Sequence, residues 1–279
     1  MASAIVTRTL GGTGAQVLPV SLGGEGILRT TGQSRQAVPV ILEALRLGVS
    51  YCDTAPAYQQ SQDYYCEAFR AAGKGSRERV LLASKCHERT RDRALRLLDD
   101  SLRRLGTDHL DTWQMHDLRE MNELDVLSGK GGALQAALEA KADGRIRFVG
   151  VTGHHDPGVL IEAMRRFPFD TILVAINPAD RRYRPFIPTV VAEARTRKMG
   201  VIGMKALAGG RMVEAAPSGD LLRYAATHAD TVVVGCSTVE EVRANLAVTD
   251  DFISMTEAEQ GGLEKRIASR ATIYDYFKG

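Results

Sequence analysis

Asp53, Tyr58, Lys85 and His116 are the side chains whose types and spacing could do chemistry together. Each falls at, or just past, the end of an apolar, strand-like run: residues 49–53, 80–85 and 110–116, with Tyr58 on the loop leaving the first. Helical segments separate the runs, so the strands should be parallel neighbours. Their carboxyl ends, where barrel enzymes keep their chemistry, would gather all four groups. A tyrosine, a lysine, a carboxylate and a histidine in one pocket suit proton transfer to a carbonyl oxygen. A free phenol has a pKa of about 10, too high for an efficient acid–base group at neutral pH. A nearby ammonium favours the phenolate and lowers that pKa, and a carboxylate beside the ammonium keeps it charged and in place. The histidine can hydrogen-bond the substrate oxygen and orient it. None of these groups can give a hydride, so a nicotinamide would have to supply it. Taken singly, each has a plainer role: a structural Lys–Asp pair, a surface aromatic, a satisfied core histidine. Their joint order at successive strand ends favours the pocket.

The elements that must position them recur along the whole chain. Strand-like runs fall at 18–22, 49–53, 80–85, 110–116, 146–151, 171–176, 201–205 and 231–234. Within 110–116, residues of one parity share a face, which puts His116 with Gln114 and Thr112; likewise Asp53 goes with Tyr51 and Lys85 with Ala83. The segment 91–105 shows helical spacing: Ala94, Leu95, Leu98, Leu102 and Leu105 share a face, and Gly106 stops it as a left-handed cap would. Further helices are predicted to start near Ser34, Ser61, Gly132, Asp156, Phe186, Gly219 and Thr238, with a last one over 257–267. Strands alternating with helices of about 10–15 residues argue a parallel sheet, and eight such units close into a (β/α)8 TIM barrel more readily than they form an open sheet. Residues 7–17, with Gly11, Gly12 and Gly14, read as an N-terminal β-hairpin plugging the floor. No linker or composition break divides residues 1–279, which read as one barrel domain with a C-terminal helix and tail.

Composition narrows the function classes. A 44% hydrophobic share with 25% charged residues fits an ordinary globule with a sizeable core. A net charge of +2, without a dense Lys/Arg stripe, offers no field for nucleic acid. No apolar run reaches the roughly 20 residues that span a bilayer. Cys52, Cys66, Cys86 and Cys236 form no CxxC pair, and Met1-Ala2-Ser3-Ala4 lacks a secretory core. Free thiols and a cytoplasmic location are the expectation.

Several residues around the mouth have two readings. Gly23 and Gly24, at the end of the first strand, would let a cofactor approach the backbone or simply make a tight turn. Gly235-Cys236-Ser237-Thr238 leads from a strand end into a helix start that offers free amides to an anion; Ser237 with Glu240, or Thr238 with Glu241, is also a plain capping box. His154-His155 hints at a metal, but adjacent residues at a strand end seldom both reach one ion, so none is expected. The loop 117–131 and the tail Ile273-Tyr274-Asp275-Tyr276-Phe277 are candidates for the substrate rim, the tail as a lid or as a segment docked on the barrel.

The chain resembles the aldo-keto reductase superfamily. Tyr51-Cys52-Asp53-Thr54-Ala55-Pro56-Ala57-Tyr58 is similar to its aspartate–tyrosine signature. Ser101-Leu102-Arg103-Arg104-Leu105-Gly106-Thr107-Asp108-His109-Leu110-Asp111 is similar to the stretch before its catalytic histidine, and Gly144-Arg145-Ile146-Arg147-Phe148-Val149-Gly150-Val151 to its fifth strand. The similarity runs in order from about Thr9 to Val248. It implies an NAD(P)H-linked reductase of aldehydes or ketones, or the reverse dehydrogenase of an alcohol. Tyr58 would be the general acid, Lys85 and Asp53 its tuning pair, and His116 the substrate-orienting group. Thr152-Gly153 stands where the family usually has Ser-Asn for the carboxamide, and Asn177 where it has Gln. Met204-Lys205 replaces the aromatic that stacks on the nicotinamide. Met204 could cover the ring, and Lys205 could reach a phosphate or a polar substrate, or instead make an ion pair at the rim. Cys236, Ser237, Thr238, Glu241 and Asn245 fall in the segment resembling the adenosine-phosphate site. Many relatives carry Arg where Glu241 stands, and the nearest cation is Arg243. NADP(H) is the first choice and NAD(H) the competitor. A catalytically silent cofactor-binding subunit, and an aldolase using Lys85 as a Schiff base, are the other readings.

Overall fold

The computed structural model describes residues 6–278; residues 1–4, read as lacking a secretory core, lie outside the described residues. Two short strands, β1 (Arg8–Thr9) and β2 (Gln16–Val17), pair antiparallel around a tight turn at Gly11–Thr13. Eight parallel strands then close a barrel: β3 (Val20–Gly26), β4 (Tyr51–Asp53), β5 (Leu81–Cys86), β6 (Leu110–Met115), β7 (Ile146–Gly153), β8 (Thr171–Ala175), β9 (Gly200–Met204) and β10 (Thr231–Cys236). They lie in chain order, with β10 paired back onto β3. The predicted (β/α)8 TIM barrel with an N-terminal hairpin is therefore the observed fold.

Between and after the strands run α1 (Ser34–Arg46), α2 (Ser61–Ala72), α3 (Arg91–Leu105), α4 (Met121–Ser128), α5 (Ala133–Ala142), α6 (Pro157–Arg166), α7 (Ala192–Thr196), α8 (Ser218–His228), α9 (Val239–Leu246), α10 (Glu257–Ala268) and α11 (Ala271–Tyr274). In α3 the buried residues include Ala94, Leu98, Leu102 and Leu105, and Gly106 caps it at φ 66° and ψ 35°, where a side chain would be strained. Two segments differ from expectation. The stretch read as a rim loop, 117–131, contains α4, whose N-terminus is closed by a reciprocal capping box between Glu120 and Glu123. The helix expected from Phe186 opens instead with a wide π turn, Ile187–Val191, before the single α turn of α7. Among the described residues no helix is long and apolar enough to cross a membrane.

The barrel interior is layered. Leu10 and Val17 of the hairpin pack up from the floor against Tyr51, Ala83, Leu173, Ile202 and Val233. Gly200 makes this contact possible, since a Cβ there would stand 2.7 Å from Leu10 Cγ. Above that apolar floor come Asp53, Lys85 and Gln114, all buried. The plug thus carries packing energy remote from the polar layer. Leu10→Ala should cost about 2–5 kcal/mol in urea unfolding, the usual range for a buried leucine, while leaving the mouth unchanged; an unaltered midpoint would show that the hairpin does not seal the floor.

Candidate active site

The order of β4, β5 and β6 brings the four sequence-predicted residues together. Asp53 ends β4 opposite Ala83 of β5, so Lys85, two residues further along the same face, rises just beyond the carboxylate. Lys85 Nζ donates to Asp53 Oδ2 at 2.5 Å and to the Thr54 carbonyl at 3.0 Å. It lies 4.4 Å from the centroid of the Tyr58 ring, and Tyr58 meets the His116 ring edge-on, centroids 6.0 Å apart and planes at 84°. From β6, Gln114 Nε2 donates to Asp53 Oδ1 at 3.3 Å and to Tyr51 Oη at 3.1 Å. Gly150 opens the space that Gln114 fills: a Cβ there would be 2.9 Å from Gln114 Cγ. Gly24 does the same for Tyr58, because a Cβ would collide with the edge of the phenol ring. His116 is tied at its backbone, its N–H donating to Cys86 O at 2.8 Å and its carbonyl accepting from Arg89 at 2.8 Å.

Burial dominates the electrostatics of this cluster. It pushes the Tyr58 phenol above its ordinary value, and the neighbouring Lys85 only partly reverses that. The sequence reading had the sign of the lysine's effect right, but the net shift is upward because the ring is taken out of water. Burial likewise raises Asp53 against the pull of Lys85. For Lys85, burial works downward, but Asp53 and Tyr58 outweigh it and raise the ammonium. We assign an ammonium–carboxylate pair to the short Nζ–Oδ2 contact, since the amine keeps its proton. His116 is pushed down to about 3 by burial and by Lys85, so it is a neutral imidazole at physiological pH.

A protonated phenol over a buried ammonium–carboxylate pair, facing a neutral imidazole at the carboxyl end of a barrel, is an arrangement for giving a proton to an oxygen. Residues 19–220 match the model of the aldo/keto reductase family. The chain belongs to the aldo/keto reductase family. It is 26% identical to L-galactose dehydrogenase of Arabidopsis thaliana over 95% of this chain and 92% of that protein. Among solved structures it resembles the holo form of an aldo-keto reductase from Bacillus halodurans, with a TM-score of 0.78 at 22% identity over 94% of this chain and 96% of the other. It also resembles an aldo-keto reductase from Klebsiella pneumoniae in complex with NADP and acetate, with a TM-score of 0.74 at 22% identity over 93% and 95%.

The other candidate residues of this family member sit in two places. Thr152, Asn177, Met204 and Lys205 surround the mouth on β7 to β9. Thr152 Oγ1 accepts from Asp117 N at 3.1 Å, so part of its capacity already holds the loop after β6. Asn177 Oδ1 accepts from Ala179 N at 2.9 Å and its Nδ2 donates to Lys205 O at 3.3 Å, which leaves one amide hydrogen to give. Met204 is half-buried against the inner apolar cluster. Lys205 makes no carboxylate contact among the described residues, so the alternative reading as a rim ion pair finds no support; its Nζ lies 5.1 Å from the Phe277 ring centroid.

The second group lies at the start of α9. Glu241 accepts from Ser237 N at 2.6 Å, and Thr238 Oγ1 accepts from Glu241 N at 3.2 Å; the hydroxyl and the carboxylate close this helix end themselves. Cys236 and Asn245 are buried behind it, with Asn245 Nδ2 donating to Cys236 Sγ at 3.4 Å. Arg243 is drawn away to Glu43, at 2.7 Å, which it shares with Arg46. Gly23 approaches the backbone of β10, where a Cβ would meet Val234 and Gly235 at 3.1–3.2 Å. Gly23 and Gly24 thus serve protein packing at least as much as any ligand. The four cysteines are free and buried.

Sequence reasoning missed the residues that hold the rim in place. Lys278 is buried and its Nζ donates to Asp180 Oδ1 at 2.8 Å and to the Tyr183 carbonyl at 2.9 Å. This seats Phe277 beside Lys205 and His154. Nothing periodic in the sequence links positions so far apart. Arg89, also missed, donates to the carbonyl of His116 and to Glu123 of α4. The buried neutral His116 has a consequence for acid stability. Its folded pKa lies below the ordinary 6.5, so protons favour the unfolded chain, and stability is full above about 6.5 and lost as pH falls toward 3. The melting temperature should fall between pH 6.5 and 4, with a shallower slope in His116→Gln; equal slopes would mean that His116 is not held neutral by burial.

Proposed function

We propose that this chain is an NAD(P)H-dependent reductase of aldehydes or ketones, able to run in reverse as an alcohol dehydrogenase. The observation that carries this is the stack in which Asp53 holds Lys85, Lys85 underlies Tyr58, and Tyr58 meets His116. Bound at the mouth, a nicotinamide supplies the hydride. Tyr58 keeps its proton in the resting protein and gives it to the carbonyl oxygen as negative charge develops there. The phenolate left behind is stabilised by the Lys85 ammonium, which Asp53 and the Thr54 carbonyl hold in position. His116, neutral, donates one N–H to the same oxygen and fixes its direction. Thr152 and Asn177 each retain a donor for an amide. Lys205, without a carboxylate contact among the described residues, offers a charge to a phosphate or to a polar substrate.

NADP(H) is our first choice of cofactor. The NADP-bound Klebsiella structure and the available cation at Lys205 support it. NAD(H) remains the competitor, because Glu241 stands at the start of α9 and Arg243 is engaged by Glu43. A small hydroxylated carbonyl, or the corresponding alcohol, fits the polar mouth and the named substrate of the plant relative. Lys85 is too well held as an ammonium to act as a Schiff-base nucleophile. No observation favours a silent cofactor-binding subunit.

Titration with NADPH and NADH, followed by cofactor fluorescence and thermal shift, tests the reading first; binding of neither at millimolar levels would sink it. Tyr58→Phe should lower turnover by at least about 10²-fold while cofactor affinity stays within a few-fold, and comparable turnover would remove Tyr58 from the mechanism. The pH profile follows from the raised phenol. Carbonyl reduction needs the protonated form, so it should hold level through neutrality and decline only above about 10, the ordinary phenol value. Alcohol oxidation needs the phenolate and should climb over the same range. A reduction rate that halves near pH 7 would contradict the assignment.

A further inference from the structure

Beside the proton-transfer stack, on the loop after β6 and at the end of β7, Asp117, His154 and His155 turn their polar atoms toward one another. Their three nearest donor atoms lie within 4.8 Å of one another. His154 Nε2 is 3.1 Å, and His155 Nε2 3.7 Å, from the same oxygen, Asp117 Oδ1. The two rings lie nearly over one another, centroids 4.3 Å apart and tilted by 35°. Neighbouring residues at a strand end seldom share an ion, yet here both imidazoles face one carboxylate oxygen, which comes from the adjacent strand's loop.

Hydrogen-bond accounting leaves this cluster one cation short. His154 Nδ1 lies 3.1 Å from the Phe277 carbonyl, an acceptor, while its Nε2 faces the Asp117 carboxylate, a second acceptor. A neutral imidazole carries one proton and can satisfy only one of them. His155 Nε2 is shut off from solvent without a hydrogen-bond partner, and Asp117 Oδ1 faces the two imidazole nitrogens. Asp117 Oδ2 is already satisfied by Arg119, at 2.6 and 2.9 Å, which leaves Oδ1 as the open oxygen. The backbone supports the arrangement: Arg89 binds the Asp117 carbonyl and Arg184 the His155 carbonyl.

From this convergence we propose that Asp117, His154 and His155 form a binding site for a divalent transition ion of the zinc class, with the His154 Nδ1–H donating to Phe277 O as its outer support. Two imidazole nitrogens and one carboxylate oxygen are the donors that such ions take, with bonds of about 2.0–2.2 Å. Those bonds make ligand–ligand edges of about 3.3–3.6 Å in a tetrahedron. The separations of His154 and His155 Nε2 from Asp117 Oδ1, 3.1 and 3.7 Å, bracket that edge, and no two of the three donors are more than 4.8 Å apart. Three protein donors leave the fourth position to water or to an oxygen of a ligand. The Nδ1–H to carbonyl bond is the usual device that fixes the tautomer of a metal-bound imidazole. The cations Arg119, Arg184 and Lys205 flank the site; Arg119 is engaged by Asp117 Oδ2 and Arg184 by the His155 carbonyl, and Lys205 Nζ lies 5.1 Å from the Phe277 ring centroid. The site is independent of which substrate or cofactor the barrel takes.

Chelator-treated protein titrated with Co²⁺ should develop the visible ligand-field bands of a low-symmetry site, and calorimetry with Zn²⁺ should show a single equivalent. His155→Ala and Asp117→Asn should each weaken Zn²⁺ by at least about 10-fold, since even outer partners are worth that much. His109→Gln, remote from the cluster, should leave both signals unchanged. Thermal unfolding of each variant without metal checks that the fold is kept. Absence of Co²⁺ bands in the parent protein, or bands and affinity that persist in both cluster variants, would overturn the assignment.

Discussion

The buried ion pair between Lys85 and Asp53 is the constraint around which this barrel is arranged. Taking two charges out of water costs several kcal/mol per ion, and mutual attraction offsets it only when every remaining polar atom also finds a partner. Here each one does. The ammonium has the carboxylate and the Thr54 carbonyl, and the other carboxylate oxygen has Gln114. Gln114 in turn needs the room that Gly150 leaves, and Tyr58 needs the room that Gly24 leaves. A pair so placed contributes little to folding that apolar side chains could not supply. Its cost is understandable as the means of holding one proton donor, at one height, beside one imidazole.

The cleft divides into a set inner part and an adjustable outer one. At the centre, Asp53 and Lys85 are fixed by β-strand register and by buried hydrogen bonds, and Tyr58 and His116 pack against them from the loops that follow. At the start of α9, by contrast, the helix is closed by its own Thr238 and Glu241, and Arg243 shares Glu43 with Arg46. An anion arriving there would have to exchange places with side chains that already serve as its substitutes. The ion pairs there join arginines open to solvent to the buried Glu43, whereas the Lys85–Asp53 pair at the centre is buried on both sides.

Much of the centre was legible because it rests on local rules. Parity along 110–116 put Gln114 with His116, apolar runs located the eight strands, and Ala94, Leu98, Leu102, Leu105 and Gly106 marked α3 to its cap. What escaped was non-local or unconventional. α4 is capped by Glu120, a residue not favoured in that position, and is held by the reciprocal bond with Glu123. Lys278 and Asp180 meet across nearly a hundred residues with no pattern to announce it. The direction of the Tyr58 shift was misjudged for a related reason: the lysine's effect is pairwise and readable, while burial is a property of the whole mouth. Asp117 was hidden by its neighbour, since His116 drew the chemical reading and the carboxylate beside it turned the other way, toward His154 and His155.

The seam of the barrel has a consequence for how the chain reaches this state. Val20 pairs with Val232, and Leu10 packs beneath Gly200. The first strand and the plug therefore wait for partners made some two hundred residues later. Until β10 emerges, β3 presents an unpaired edge, the feature that invites association with other chains, and contacts of such long sequence separation form slowly. The closing strand pair, which leaves the eight-stranded barrel without an open edge, is also the step during synthesis at which the polypeptide depends most on being kept apart from its neighbours.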